Sequence, residues 1–251
     1  MPDINKANRQ VCDLIFCDID TKKPYLKFDR ANTTTAGVQG DSVYAMAKGS
    51  RKIAFANPLE GTIGVEAQVM PTRFYSLFTG GVMDTTAIYA DSQDITCGTA
   101  GELTLTAPKT GTIKSGTVFA YPKDSFGDDE TEIKGTFADN KFTATTDSDI
   151  AVGTVYTVGY LVEKTTGVKK VSFTNKNLPK AYYVTMSTLD KDEDERLVPF
   201  KIVAYKAQAQ RNFELSFSSE GDPATVSATF DLLEDKDGNI IDMVEITDEA
   251  E

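Results

Sequence analysis

The 251-residue sequence contains no histidine and no tryptophan, and only three cysteines. Without imidazole, serine, cysteine and general-base mechanisms that depend on a His partner are excluded. Zinc and haem sites lose their commonest ligand as well, and no CxxC pair replaces it. Without Trp, the aromatic platforms of a sugar-binding cleft are scarce. Cys12 and Cys17 stand five apart in one expected strand, on opposite faces and about 16 Å apart along it, which is beyond disulfide reach. Cys97 is alone, so the three read as reduced, small apolar residues. No apolar run approaches the ~18 residues of a membrane span, so no membrane segment is expected. The opening MPDINKANRQVCDLIFCDID lacks the apolar stretch of a secretory signal. The chain is therefore expected to stay in a cytoplasm or to leave it by another route. Catalysis would have to rest on paired carboxylates, a lysine or a metal. The reading is a non-enzyme with no catalytic residue, no metal and no cofactor.

Charge is present but unevenly placed. The net charge is −12. Residues 1–91 carry 10 basic and 10 acidic side chains, 92–180 carry 10 and 11, and 181–251 carry 6 and 17. A surface of that sign repels nucleic acid. The run Asp190-Lys191-Asp192-Glu193-Asp194-Glu195-Arg196 invites a calcium reading. An EF-hand loop begun at Asp190 needs Gly sixth and Glu twelfth, however, and meets Glu195 and Lys201. Begun at Asp235, the loop meets Gly238 at its fourth position, too early. A solvated acidic loop and a hairpin turn account for both. The Gly-containing stretches 98–101 and 115–117 lack the GK[ST] of a phosphate loop.

Strand patterns dominate. They are expected at 11–19, 24–30, 42–48, 51–57, 61–70 and 85–90. After a shift at Ser92 to a Thr-, Gly- and Lys-rich composition, short strands bounded by turns are expected at 101–107, 116–122, 131–137, 140–145, 153–163 and 168–174. Long alternating strands resume at 181–189, 197–207, 211–219 and 223–233, with Val226, Ala228, Phe230 and Leu232 on one face of the last. Two domains follow: a discontinuous one from 1–92 and 179–251, and a small antiparallel sandwich of 93–178 inserted into it. The segment 31–41, ANTTTAGVQGD, is small, polar and long for a hairpin connection. It reads as a loop that is either mobile or ordered by a partner.

Residues 51–81 form the densest local pattern. RKIAFAN alternates, with Ile53 and Phe55 on one face of a half-buried strand. Asn57-Pro58-Leu59-Glu60-Gly61 is turn chemistry joining it to a second strand. In that strand Ile63, Val65, Ala67 and Val69 face one way, and Thr62, Glu66 and Gln68 the other. The period then changes: Phe74, Leu77 and Phe78 fall at i, i+3, i+4 behind Pro71, and Gly80-Gly81 can end the helix left-handed. This helix reads as a plug over one end of a β core, leaving Arg73 and Ser76 outward.

Three passages carry a resemblance in pattern and order: IAFANPLEGTIGVEAQVMPTRFYSLFTGG, YYVTMSTLDKDEDERLVPFKIVAYKAQ and FELSFSSEGDPATVSATFDLLEDKDGNIIDMVEI. Together they cover about half the chain, which resembles the tail tube proteins of long-tailed bacteriophages and related injection devices. The resemblance implies a mainly β fold, a sandwich or barrel with one short flanking helix, and an immunoglobulin-like sandwich at 93–178. It implies hexameric rings stacked into a tube through which DNA passes without specific binding, in a virion tail assembled in the host cytoplasm. The partners implied are further copies of the chain, the tape measure, baseplate or tip and terminator proteins and, where one is present, a sheath. Candidate subunit or lumen contacts are Thr62, Glu66, Gln68, Arg73, Asp190, Asp192, Glu193, Asp194 and Glu195. The candidate inter-ring arm is Asn32, Thr33, Thr34, Thr35, Gly37 and Gln39. The competing reading is a β-sandwich adhesion or capsid decoration protein that binds a host surface or the virion.

Overall fold

A computed structural model describes residues 4–212, 214–215, 219–221 and 223–247. The chain folds as two compact units, Met1–Val82 with Val171–Glu251, and Met83–Lys170. The strands, in chain order, are β1 (Lys6–Asn8), β2 (Asp13–Asp18), β3 (Pro24–Phe28), β4 (Thr33–Gln39), β5 (Ser42–Ala47), β6 (Ser50–Ala56) and β7 (Glu60–Ala67), followed by helix α1 (Thr72–Tyr75). The second unit contributes β8 (Ala87–Thr96), β9 (Glu102–Thr104), β10 (Gly111–Ile113), β11 (Phe119–Pro122), β12 (Gly135–Ala138), β13 (Lys141–Ala144) and β14 (Val155–Lys164). The first unit resumes with β15 (Ala181–Asp192), β16 (Leu197–Ala209), β17 (Val226–Leu232) and β18 (Ile241–Glu245).

The first unit is built on one antiparallel sheet of order β3-β2-β15-β16-β17-β7-β4, with β1 added to β15 and β18 to β16. Period-2 alternation decides its faces. Leu14 and Phe16 of β2, Ile63, Val65 and Ala67 of β7, and Val226, Ala228, Phe230 and Leu232 of β17 all turn inward and are buried. Their neighbours Thr62, Glu66 and Ser227 stay exposed. Phe16 and Phe230 meet at 5.3 Å across the core, and Phe28 stacks on Phe74 at 4.8 Å. The expected helix forms as α1 followed by a 3-10 turn, Ser76–Thr79, and buries Phe74, Leu77 and Phe78, but Ser76, expected outward, is fully buried with its hydroxyl against Tyr25 and the Arg73 carbonyl. Gly80 ends it in the left-handed conformation at φ 85°, where a Cβ would be strained.

The fold is mainly β, and among the described residues no barrel closes. Among the described residues the terminal strands β3 and β4 each have one open edge, and the Thr34 hydroxyl of β4 accepts a hydrogen bond at 3.0 Å from the amide of Cys12, just before β2. Strand pairing differs from the sequence reading in two places. Residues 51–57 do not pair with 61–70: β6 pairs with β5 in a separate two-stranded sheet, and β7 pairs with β4 and β17. The segment 31–41 is not a loop, because Thr33–Gln39 lies on β7 from Thr33↔Glu66 to Gln39↔Glu60. β-Branched Thr33, Thr34 and Thr35 favour that extended state, and their polarity mimics a loop. The expected strand 211–219 falls partly outside the described residues, Phe213 and Phe217 among them.

In the second unit, β8 pairs with β14 at ten positions, and β10 and β11 share the other edge of β14. Strands β12, β13 and β9 form a second sheet. The two sheets bury Leu103, Phe142, Ile150, Val158 and Val162 in a core of their own. A boundary at residue 93 falls inside β8, because the ten-residue ladder with β14 outweighs the compositional shift at Ser92. Residues 168–174 form no strand beyond the single bridge Asp84↔Lys170.

Candidate assembly surfaces

The outer face of β4, β7 and β17 gathers residues that are scattered in the sequence. Register places Thr33, Glu66 and Ser227 in one row, Thr35, Gly64 and Thr229 in the next, and Gly37, Thr62 and Asp231 in the third. Because side chains alternate, these nine positions share the face opposite the buried Ile63, Val65 and Phe230. The Thr35 hydroxyl lies 2.5 Å from where a Gly64 Cβ would sit, so glycine there lets the threonine lie flat on the sheet. Two groups of residues that the sequence put into different roles, Thr62 and Glu66 on one hand and Thr33, Thr35 and Gly37 on the other, therefore stand on one polar surface. Gln68 lies just beyond β7 and reaches Thr225 at 3.4 Å. Gln39 ends β4 opposite Glu60, and Asn32 precedes the strand with its amide on the Glu66 carbonyl.

The edge bounding this face is β4. From Thr33 to Gln39 it contains no charged residue, and charge is the commonest device that blunts an exposed edge. The second unit is the counter-example. Its β8 runs ten residues with an open side, but the Asp91 carboxylate accepts a hydrogen bond from the Ser92 amide midway along it, and Asp94 follows.

Sequence reasoning placed both strands of the hairpin β5–β6, at 42–48 and 51–57, but missed that they pair with each other and stand exposed. All thirteen of its strand residues are exposed. Val43 pairs with Phe55 and Ala45 with Ile53, which makes one apolar face with no cover. Val43, Met46, Ile53 and Phe55 each keep more than half of their surface exposed. Alternation at Ile53 and Phe55 indicates a strand correctly, but does not say that its apolar side is left bare. The turn at Lys48 (φ 50°) and Gly49 (φ 79°) suits a tight hairpin. Lys48, Arg51 and Lys52 make its end basic, and from Ser42 to Leu59 there is no acid. That local skew in an acidic chain is the available sequence signal. Arg51 stacks over Tyr44 at 4.3 Å.

An open cleft of about 600 Å³ lies where this hairpin leaves the sheet, lined by Val38, Leu59, Leu232 and Leu233 and by the carboxylates of Glu60, Asp231 and Glu234. Asp231 accepts a hydrogen bond from the Gln210 side-chain amide at 2.7 Å.

The other candidates go elsewhere. Arg73 lies over the Tyr25 ring at 4.5 Å, inside its own unit. Tyr25 in turn donates to the Gly81 carbonyl and contacts the Ser76 hydroxyl. Asp190, Asp192, Glu193, Asp194 and Glu195 form the end of the long β15–β16 hairpin, apart from the polar face. The N-terminal segment is tied to them: Asn8 donates to Asp190 and Asn5 to Glu193, while Asp192 caps the Arg196 amide. Among the described residues, no group of three His, Cys, Asp or Glu side chains could hold a metal ion. Among the same residues no helix is long and apolar enough to cross a membrane.

The fold is an open-edged, mainly β scaffold, consistent with a β-sandwich, that carries an exposed apolar hairpin and a broad polar face. The chain belongs to the YomU/Tube protein family, whose model matches residues 9–246. This phage-derived family of structural proteins makes the chain a tube-like structural component of phage type. No curated protein matches the chain.

Proposed function

We propose that this protein is a phage tail tube subunit. Copies associate edge to edge into rings, hexameric by the resemblance, and the rings stack into the tube through which DNA is ejected. The observation that carries this reading is the uncharged open edge of β4 beside a polar face of Thr, Ser and Gln. An adjacent protomer can continue the sheet there, as an unblunted edge permits. A wall of neutral hydroxyls and amides with scattered acids gives DNA no cation to hold, so passage incurs no salt-dependent drag. In this reading Thr62, Glu66 and Gln68 serve the lumen or a subunit contact, and the acidic turn 190–195 serves another subunit boundary. The tape measure, tip or baseplate and terminator proteins, and a sheath where one is present, are its neighbours in the virion. The 83–170 unit is an immunoglobulin-like decoration.

The test is electron microscopy of concentrated protein beside a Gly37→Lys variant. A Gly37 Cβ meets nothing within 4 Å, so lysine fits the monomer while charging the edge. Rings or tubes from the parent protein, with folded monomers from the variant, are the expected result. Persistent parent monomers that bind purified cell envelope would instead favour an adhesion module. One feature of the second unit fits that reading, its exposed Phe119 and Phe126.

A further inference from the structure

Resting on the tube reading, we infer that the basic end of the β5–β6 hairpin docks into the acidic cleft at the root of the same hairpin on another copy. The two surfaces match in chemistry. The hairpin offers Lys48, Arg51 and Lys52 ahead of the bare apolar pair Ile53 and Phe55. The cleft offers Glu60, Asp231 and Glu234 around Val38, Leu59 and Leu233. A volume of about 600 Å³ accepts several side chains at once. The described residues show no ion pair on Lys48, Lys52, Glu60 or Glu234, so these charges remain available to each other across an interface.

Geometry excludes a chain from filling its own cleft. The hairpin is bridged at its root by the Asn57 amide on the Asp41 carbonyl and runs to its turn at Lys48-Gly49. Seven residues at a strand's rise make about 23 Å. Leu59 and Glu60 line the cleft and lie at the root end, so each arm carries its donor surface at one end and its acceptor at the other. A contact of this kind is heterologous: the patch used by one copy differs from the patch used on the next, which generates a closed ring or an open filament. A lone two-stranded hairpin is also marginally stable in water, and a second chain would bury the apolar face that the described residues leave exposed on its two arms.

The experiment is charge exchange on the full chain. One variant carries Lys48→Glu, Arg51→Glu and Lys52→Glu; the other carries Glu60→Lys and Glu234→Lys. Each alone is expected to raise the concentration needed for assembly by about tenfold, the combined effect of the two or three exposed ion pairs it reverses. Mixed in equal amounts, they are expected to co-assemble, because each reversed surface then meets its complement. Carbodiimide cross-linking of mixed isotope-labelled and unlabelled parent protein gives a readout independent of tubes. Hetero-isotopic peptides joining Lys48 or Lys52 to Glu60 or Glu234 are expected. Tubes that form normally from either variant would overturn this docking and leave the tube reading standing. A parent chain that stays monomeric at every concentration and yields none of these cross-links would count against both. If hairpin reversal abolished DNA retention on a column while leaving assembly unchanged, the basic end would be a nucleic-acid contact and the docking would be wrong.

Discussion

Gly80 offers a sharp test of how the helix that closes the first core is terminated. Its φ of 85° is left-handed, and a Cβ placed there would stand 2.9 Å from the Leu178 carbonyl oxygen, a backbone atom that cannot swing aside. Substitution by alanine therefore incurs two costs. The left-handed conformation costs an L-residue about 1–2 kcal/mol. Relief of the overlap requires backbone movement of the kind that costs about 1–3 kcal/mol in an overpacked site. Gly80→Ala is thus expected to destabilise the first unit by about 2–5 kcal/mol. Gly238 supplies the control: its φ is 83°, and a Cβ there meets nothing within 4 Å, so Gly238→Ala should cost only the conformational part. Because the chain has two compact units, a single unfolding curve would mix them. Hydrogen exchange read by mass spectrometry on peptides from β7 and β15 reports the first unit alone. Equal losses for the two variants would refute the argument that the Leu178 carbonyl is fixed. No loss at Gly80 would refute the left-handed termination itself.

Two further predictions concern the first unit. Phe74 is fully buried against Phe28 and Phe78, so Phe74→Ala should cost about 3–5 kcal/mol in the same exchange experiment while leaving the second unit unchanged; a loss shared by peptides of β14 would contradict the separate cores. Tyr205 donates to Asp242, and that bond pushes its phenol up to about 12. A group whose pKa rises on folding stabilises fully below its unfolded value near 10, and that contribution disappears as pH climbs through the folded value. Ultraviolet titration of tyrosinate should show a tyrosine ionising near 12 that Tyr205→Phe removes. An unchanged titration curve in the variant would remove the Asp242 bond from consideration.

Where the sequence was legible, one local rule was sufficient. Alternation identified β2, β7 and β17 with their inward residues, since each of those strands buries one face and exposes the other. The helix over the first core was legible for the same reason, through Phe74, Leu77, Phe78 and the Gly80-Gly81 stop. Pairing was less accessible. Pro58 and Gly61 do mark a turn, but two strands flanking a turn need not pair with each other. Register along β4–β7 and β5–β6 is settled by contacts distant in sequence. The threonines of β4 have the polarity of a loop and the backbone preference of a strand, and only the partner β7 decides between them.

The candidate site was legible in its residues and illegible in its grouping. Thr62 and Glu66 were read as a polar strand face, and Thr33, Thr35 and Gly37 as a reaching arm; the register Thr33↔Glu66 and Gly37↔Thr62 puts them on one surface. The reaching element then moves onward to the hairpin of Ser42–Ala47 and Ser50–Ala56, whose apolar residues alternate like those of a core strand. Periodicity reports which side chains share a face and is silent about whether that face is covered by its own chain. In a monomeric fold the two questions have the same answer. In a subunit of the proposed assembly they part, and Val43, Ile53 and Phe55 are where they would part in this chain. An apolar face left bare beside a cluster of three cations, in a chain of net charge −12, is better explained by a second copy's acidic cleft than by the core that the alternation alone would imply.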